Sequence, residues 1–224
     1  MSVEIAASCD TVSKVYKSAS GEVHALTDID VEFPVGQVTA VMGPSGSGKS
    51  SLLRIVAGLE RPTSGWMEVG GVMISTLGAR RRRRVRRRLV GYVFQRPSDN
   101  LISYLSLLEH MHLAARLRGR GTSDEVDEVL TLLGLAPRRG NLPHQLSGGE
   151  QQRAAFGQAV IGDPALVVAD EPTAELDARS GASLLGTIQR LAHAGTAVVV
   201  ATHDEAVAEA SDRVYRIERG ELVR

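Results

Sequence analysis

Residues 37–59 read QVTAVMGPSGSGKSSLLRIVAGL: an apolar, β-branched run, a turn rich in glycine and serine, then an apolar stripe at helical spacing. A strand followed at once by a helix is the unit of an α/β fold. Three further runs share the strand character, LVGYVF at 89–94, ALVVAD at 165–170 and AVVVAT at 197–202. Helical patterns separate most of them, so the chain is expected to build a mainly parallel sheet covered by helices.

Two flanking segments, 23–34 and 66–74, alternate more strongly and carry turn residues, as antiparallel strands added at one side do. Residues 97–160 show no strand-like run. Ser106 with Glu109 and Thr122 with Glu125 have capping-box spacing, and Val126, Val129, Leu130 and Leu133 form one stripe. This region is read as a helical insertion into the α/β core. The closing RVYRIERGELVR reads as two strands around Arg219 and Gly220.

The turn of residues 43–50, GPSGSGKS, matches G-x-x-x-x-G-K-[ST] in the context that motif needs, between a strand and a helix. Its glycines, Gly43, Gly46 and Gly48, with Pro44, Ser45 and Ser47 between them, let backbone N–H groups turn toward phosphate oxygens. Lys49 would reach β- and γ-phosphates and Ser50 would ligate Mg2+. The third strand ends at Asp170, a carboxylate suited to the same metal, with Glu171 next as a candidate base. Gln95 follows the second strand and His203 the fourth, so four strands present polar groups at the ends where open α/β sheets bind ligands.

Composition narrows the class. The chain has 224 residues, 43% of them apolar, enough for one domain with its own core. Its first residues lack the pattern of a signal peptide, and no apolar stretch approaches the roughly 18 residues of a membrane span. Cys9 is the only cysteine, which excludes an internal disulfide and fits a reducing compartment. Net charge is zero, yet eight arginines fall within residues 80–88. Without those eight, 18 basic residues face 26 acidic ones, a net of −8. One basic block on an acidic body differs from the broad basic face of a nucleic-acid binder, so no specific nucleic acid is expected. Leu77, Val85 and Leu89 recur at multiples of four and would dock the run as a solvated surface helix. Contact with a partner protein or with anionic headgroups is the alternative. Apart from His203, the other five histidines, His110 and His112 among them, sit without a matching set of metal ligands.

LSGGEQQR, residues 146–153, starts another helix. Ser147 and Glu150 make a capping box, and Ala155, Phe156, Ala159 and Val160 an apolar face. Two glycines in a first turn cost about 1 kcal/mol each relative to alanine. They make sense where a phosphate approaches bare N–H groups.

With these motifs in this order, followed by AELD and THD, the chain resembles the nucleotide-binding subunit of an ABC transporter along essentially its whole length. VYKSASGEVHALTDID, IVAGLERPTSG and VADEPTAELD are most similar to the group serving lipoprotein-releasing and macrolide-export permeases. The resemblance implies a single ABC ATP-binding domain over residues 1–224, with residues 97–160 as its helical subdomain. Its ligands would be ATP and Mg2+, the metal held by Ser50, Gln95 and Asp170. Tyr16 matches the aromatic that stacks on adenine, and residues 43–50 with Ser51 the phosphate cradle. Glu171 matches the residue that polarises water, His203 the switch histidine, and Gln95 the residue that senses Mg2+ and water. Ser147, Gly148, Gly149 and Glu150 match the signature that caps ATP bound to a second copy, and Asp177 the loop that crosses between copies. The resemblance further implies an integral-membrane permease partner and a place on the cytoplasmic face of the membrane. A permease that transmits a signal, as in cell division, is the competing reading. The DNA- or ribosome-directed relatives carry coiled-coil insertions, zinc modules or tandem ATPase domains, which this sequence lacks. The stretch RPSDNLISYLSLLEH after Gln95 departs from the group's Leu-Leu-Pro-like pattern, and this leaves permease and cargo open.

Overall fold

The four apolar runs become β3 (Val38–Met42), β6 (Val90–Val93), β7 (Leu166–Asp170) and β8 (Ala197–Thr202) of one sheet in the computed structural model, which describes residues 4–18 and 21–223. Residues 1–3, at the start of the segment read as lacking a leader, lie outside the described residues. So do residues 19–20 of the VYKSASGEVHALTDID stretch and residue 224. With β9 (Arg213–Glu218) and β10 (Glu221–Val223) the sheet runs β10-β9-β3-β8-β7-β6. All pairings are parallel except β10 with β9. Every residue of β3 and β8 is buried, as expected of strands covered on both faces.

A second, antiparallel sheet has the order β2-β1-β4-β5, from β1 (Ile5–Ser18), β2 (Gly21–Pro34), β4 (Ser64–Val69) and β5 (Val72–Met73). The 23–34 and 66–74 segments lie in it as expected, but its central strand β1 was not singled out from the sequence. Ser, Thr and Lys interrupt the apolar residues of β1, and its register with β2 shifts four times. Strict alternation therefore fails.

Helix α1 (Lys49–Val56) lies between the two sheets. Its Leu52, Leu53 and Ile55 join Leu26, Ile29 and Phe33 of β2 and Val168 and Val199 of the large sheet in one core. The other face of the large sheet packs on α5 (Gly148–Val160) and α6 (Ala178–His193) through Phe156, Leu184 and Ile188. Between β6 and β7 come α3 (Leu107–Arg118), α4 (Ser123–Leu132) and then α5, joined by turns, so residues 97–160 carry no strand but are not helical throughout. Ser106 and Glu109 form the expected capping box. Thr122 accepts from the Glu125 amide, but the Glu125 carboxylate turns away to accept from Gly162 N–H, so that box is half made. Val126, Leu130 and Leu133 are buried as the stripe requires. The arginine run forms α2 (Ala79–Leu89), with Leu77, Val85 and Leu89 packed on the core. Among the described residues no helix is long and apolar enough to cross a membrane.

Candidate functional site

A cleft of about 810 Å³ opens at the C-terminal ends of the parallel strands. The 43–50 turn, Gln95, Asp170 with Glu171, and His203 all reach it, from the ends of four different strands. Parallel register places these ends side by side. Asp170 of β7 pairs with Ala201 of β8, and Met42 of β3 with Thr202.

The turn leading into α1 is shaped by contact. At Gly43, with φ 155°, a Cβ would meet the carbonyl oxygen of Ile217 at 2.1 Å. No side chain fits there. Gly46, with φ 78°, has open space around the same position and needs glycine only for its backbone. Ser47 N–H donates to Pro44 and its own carbonyl accepts from Gly220 N–H at 2.8 Å, which ties the turn to the β9–β10 hairpin.

Helix α1 starts at Gly48 without a capping side chain and without an acid in its first turn. Helices α3, α5 and α6 are instead capped by Ser106, Ser147 and Asp177. The first amides of α1, at Lys49 and Ser50, have no partner among the described residues and carry the positive end of the helix into the cleft. Lys49 is buried, its Nζ donating to the carbonyls of Gly43 at 2.7 Å and Pro44 at 3.1 Å, with Glu171 Oε1 3.9 Å away. The turn thus holds a cation against phosphate-sized space.

Facing it are two carboxylates. Burial raises the pKa of Asp170, while a hydrogen bond from the Ser50 hydroxyl, with the charge of Lys49, lowers it in part. A desolvated carboxylate touching a hydroxyl is a donor pair that fits a small hard cation. Glu171 follows in a left-handed backbone conformation, φ 45°, and its N–H donates to Ala201. That turn swings its carboxylate toward His203, whose Nδ1 lies 2.9 Å from Oε2.

Tyr16 stands just outside the cleft. Its hydroxyl donates to Glu60 Oε2 at 2.9 Å and lies 3.4 Å from the hydroxyl of Ser51, a cleft residue, and Tyr16 pairs across β1–β2 with Val23, another cleft residue. Ser147, Gly148, Gly149, Glu150 and Asp177 form a separate group. Glu150 folds back to accept from Ser147 N–H at 2.8 Å, and Asp177 accepts from Ser180 N–H at 3.0 Å. A Cβ on Gly149 would lie 3.3 Å from Ser180 Cβ, so the start of α5 sits against the start of α6. The amides of Gly148 and Gly149 have no partner among the described residues. The sequence missed the far wall of the cleft: Val23, His24, Ala25, Arg219 and Gly220. The Arg219–Gly220 turn was readable as a turn, but nothing local in the sequence brings it under residue 47.

The family model described as ABC transporter matches residues 26–174. The chain is 40% identical over 215 residues to the macrolide export ATP-binding/permease protein MacB 1/2 of Paracoccus denitrificans, covering 95% of this chain and 32% of that protein. It thus spans about one third of the length of the macrolide-export relatives it matches. It is 39% identical over 217 residues to the lipoprotein-releasing system ATP-binding protein LolD of Shewanella denitrificans, covering 95% of this chain and 92% of that one. Among solved structures it is similar to dimeric MJ0796, a bacterial ABC transporter cassette, with a TM-score of 0.85, 33% identity and 97% of each chain covered. A post-hydrolysis dimer of the same cassette, bound to ADP and Pi, matches with a TM-score of 0.85 at 32% identity, again over 97% of each chain.

Proposed function

The chain belongs to the ABC transporter family, and on that premise we propose that two copies close around two ATP molecules and use their hydrolysis to drive a separate membrane permease. The observation that carries this reading is a division. Lys49, Ser50, Gln95, Asp170, Glu171 and His203 meet at one cleft, while the unpartnered amides of Gly148 and Gly149 lie in a separate group outside it. A phosphate bound in the cleft is complete only when a second copy brings that group to it.

In this reading the amides of residues 43–50 and the start of α1 hold the β- and γ-phosphates, and Lys49 supplies the fixed cation. Tyr16, beside Val23, takes the adenine. Ser50, Asp170 and Gln95 would hold Mg2+, which when bound offsets charge on the phosphate oxygens. Glu171 orients and polarises the attacking water, and His203, held by Glu171 through Nδ1, presents Nε2 toward the γ-phosphate. From the other copy, Ser147, Gly148, Gly149 and Glu150 cap the same phosphate, and Asp177 sits at the crossing between copies. Residues 1–224 act as one ATP-binding domain, with residues 97–160 as its helical arm. Similarity to MacB and LolD supports an integral-membrane permease as partner and a position at the cytoplasmic face of the membrane. Direct assay tests the reading: the purified chain should hydrolyse ATP with a requirement for Mg2+. Absence of any nucleotide binding would overturn it.

A further inference from the structure

Helix α2 sorts its eight arginines into two groups. Arg82, Val85, Arg86 and Leu89 share one side, and all four are half-buried against the body. Val85 and Leu89 pack on the core, and the stems of Arg82 and Arg86 pass over Gly58. Arg80, Arg81, Arg83, Arg84, Arg87 and Arg88 are exposed, on an arc of about 160° at 3.6 residues per turn. That face runs about 12 Å along the helix. Among the described residues none of the eight arginines forms an ion pair. The two inner ones meet more cation instead: burial lowers the pKa of Arg82, with Arg61 and Arg86 adding, and burial lowers that of Arg86, with Arg83 adding.

An apolar feature adjoins this face. Arg83, Arg86 and Arg87 line a cavity of about 380 Å³ together with Tyr92 and Phe94, and Phe94 is 45% exposed. Clustered cations beside an exposed ring fit the boundary of an anionic bilayer, where guanidiniums meet phosphates and the ring reaches the headgroup layer. A duplex presents the same phosphates, but proteins that grip one spread their cations over a broad face.

We propose that the exposed arginine face of α2 docks on an anionic phospholipid surface and holds this chain at the membrane without any permease subunit. The proposal is independent of the ATP chemistry.

The test is co-sedimentation of the full chain with vesicles of phosphatidylcholine plus phosphatidylglycerol, against vesicles of phosphatidylcholine alone. The chain should sediment only with the anionic vesicles, and high salt should release it. Replacing Arg81, Arg83 and Arg84 by Gln should reduce the bound fraction at least about tenfold. The same three changed to Lys should restore it. Charge-matched Gln replacements of Arg116, Arg120 and Arg139 should leave it high, and thermal melting with basal ATP hydrolysis should be unchanged in every variant. Millimolar inorganic phosphate should not compete, since a single phosphate site is not what binds. No sedimentation, equal sedimentation with neutral vesicles, or full binding by the Gln variant would overturn the proposal. Displacement by inorganic phosphate, or tight duplex-DNA binding without vesicle binding, would also overturn it.

Discussion

His203 Nδ1 lies 2.9 Å from Glu171 Oε2 and 3.0 Å from Oε1. An ionised carboxylate only accepts, so the bound ring nitrogen carries the proton and Nε2 is left to face the cleft. Glu171 also lies 3.9 Å from Lys49, which is itself held by the carbonyls of Gly43 and Pro44, so the carboxylate anchors His203 and only neighbours the lysine. In the proposed mechanism its loss removes water orientation and the anchor of His203 together.

Glu171→Gln should keep ATP affinity near that of the wild type and lower turnover by about 10²- to 10⁴-fold. Lys49→Ala should do the reverse first, losing affinity, because the amides of the cradle remain but its cation is gone. Equilibrium binding and steady-state hydrolysis on both proteins separate the effects. Turnover at the wild-type level by Glu171→Gln would remove Glu171 from its assigned role.

His203→Ala should reduce turnover by about a hundredfold, the scale for removing one preorganised polar contact to a transition state. Thermal stability should barely change, because His203 is exposed and its ring supports no core contact. A stopped-flow or phosphate-release assay beside a melting curve checks both halves.

The turn allows a contrast between two glycines. Gly46→Ala has space and should cost only the left-handed backbone penalty, about 1–2 kcal/mol. Gly43→Ala would drive a methyl group into the Ile217 carbonyl and should cost clearly more, with loss of nucleotide binding. Denaturant unfolding of the two variants gives the comparison, and equal losses would refute the packing argument.

A buried histidine ties pH to stability. His110 Nε2 accepts from Ile102 N–H at 2.8 Å, and Nδ1 donates to the Ser106 carbonyl at 2.8 Å, so the ring is held neutral. Its pKa is lowered from 6.5, chiefly by burial, with the Ser106 hydrogen bond and Glu109 opposing. The unfolded chain then binds the proton more readily than the folded one. This contribution is complete above the unfolded value of 6.5 and is lost as pH falls toward and through the lower folded value. Melting temperature below pH 6.5 should therefore drop more steeply for the wild type than for His110→Gln. Parallel slopes would show that the ring is not held neutral.

What the sequence made legible was local. The 43–50 turn needs its own glycines and the helix that follows it, and Asp170 and Glu171 need only the end of their strand. Capping boxes lie within four residues and read well at Ser106 and Ser147. Thr122 shows the limit, since Glu125 was drawn off by an amide 37 positions away. The same reason hid the far wall of the cleft. Gly220 meets Ser47 only because β9 pairs with β3, a choice no window of sequence displays. Strand β1 escaped notice because its bulges break the period of two.

The division between the cleft and the Gly148–Gly149 amides is tested most directly by mass in solution. Light scattering should find the Glu171→Gln protein monomeric alone and dimeric with ATP. Adding Ser147→Arg, which leaves the cleft untouched, should return it to a monomer while ATP still binds. A monomer at saturating ATP, a dimer indifferent to ATP, or an ATP-dependent dimer that survives Ser147→Arg would contradict a site shared between two copies.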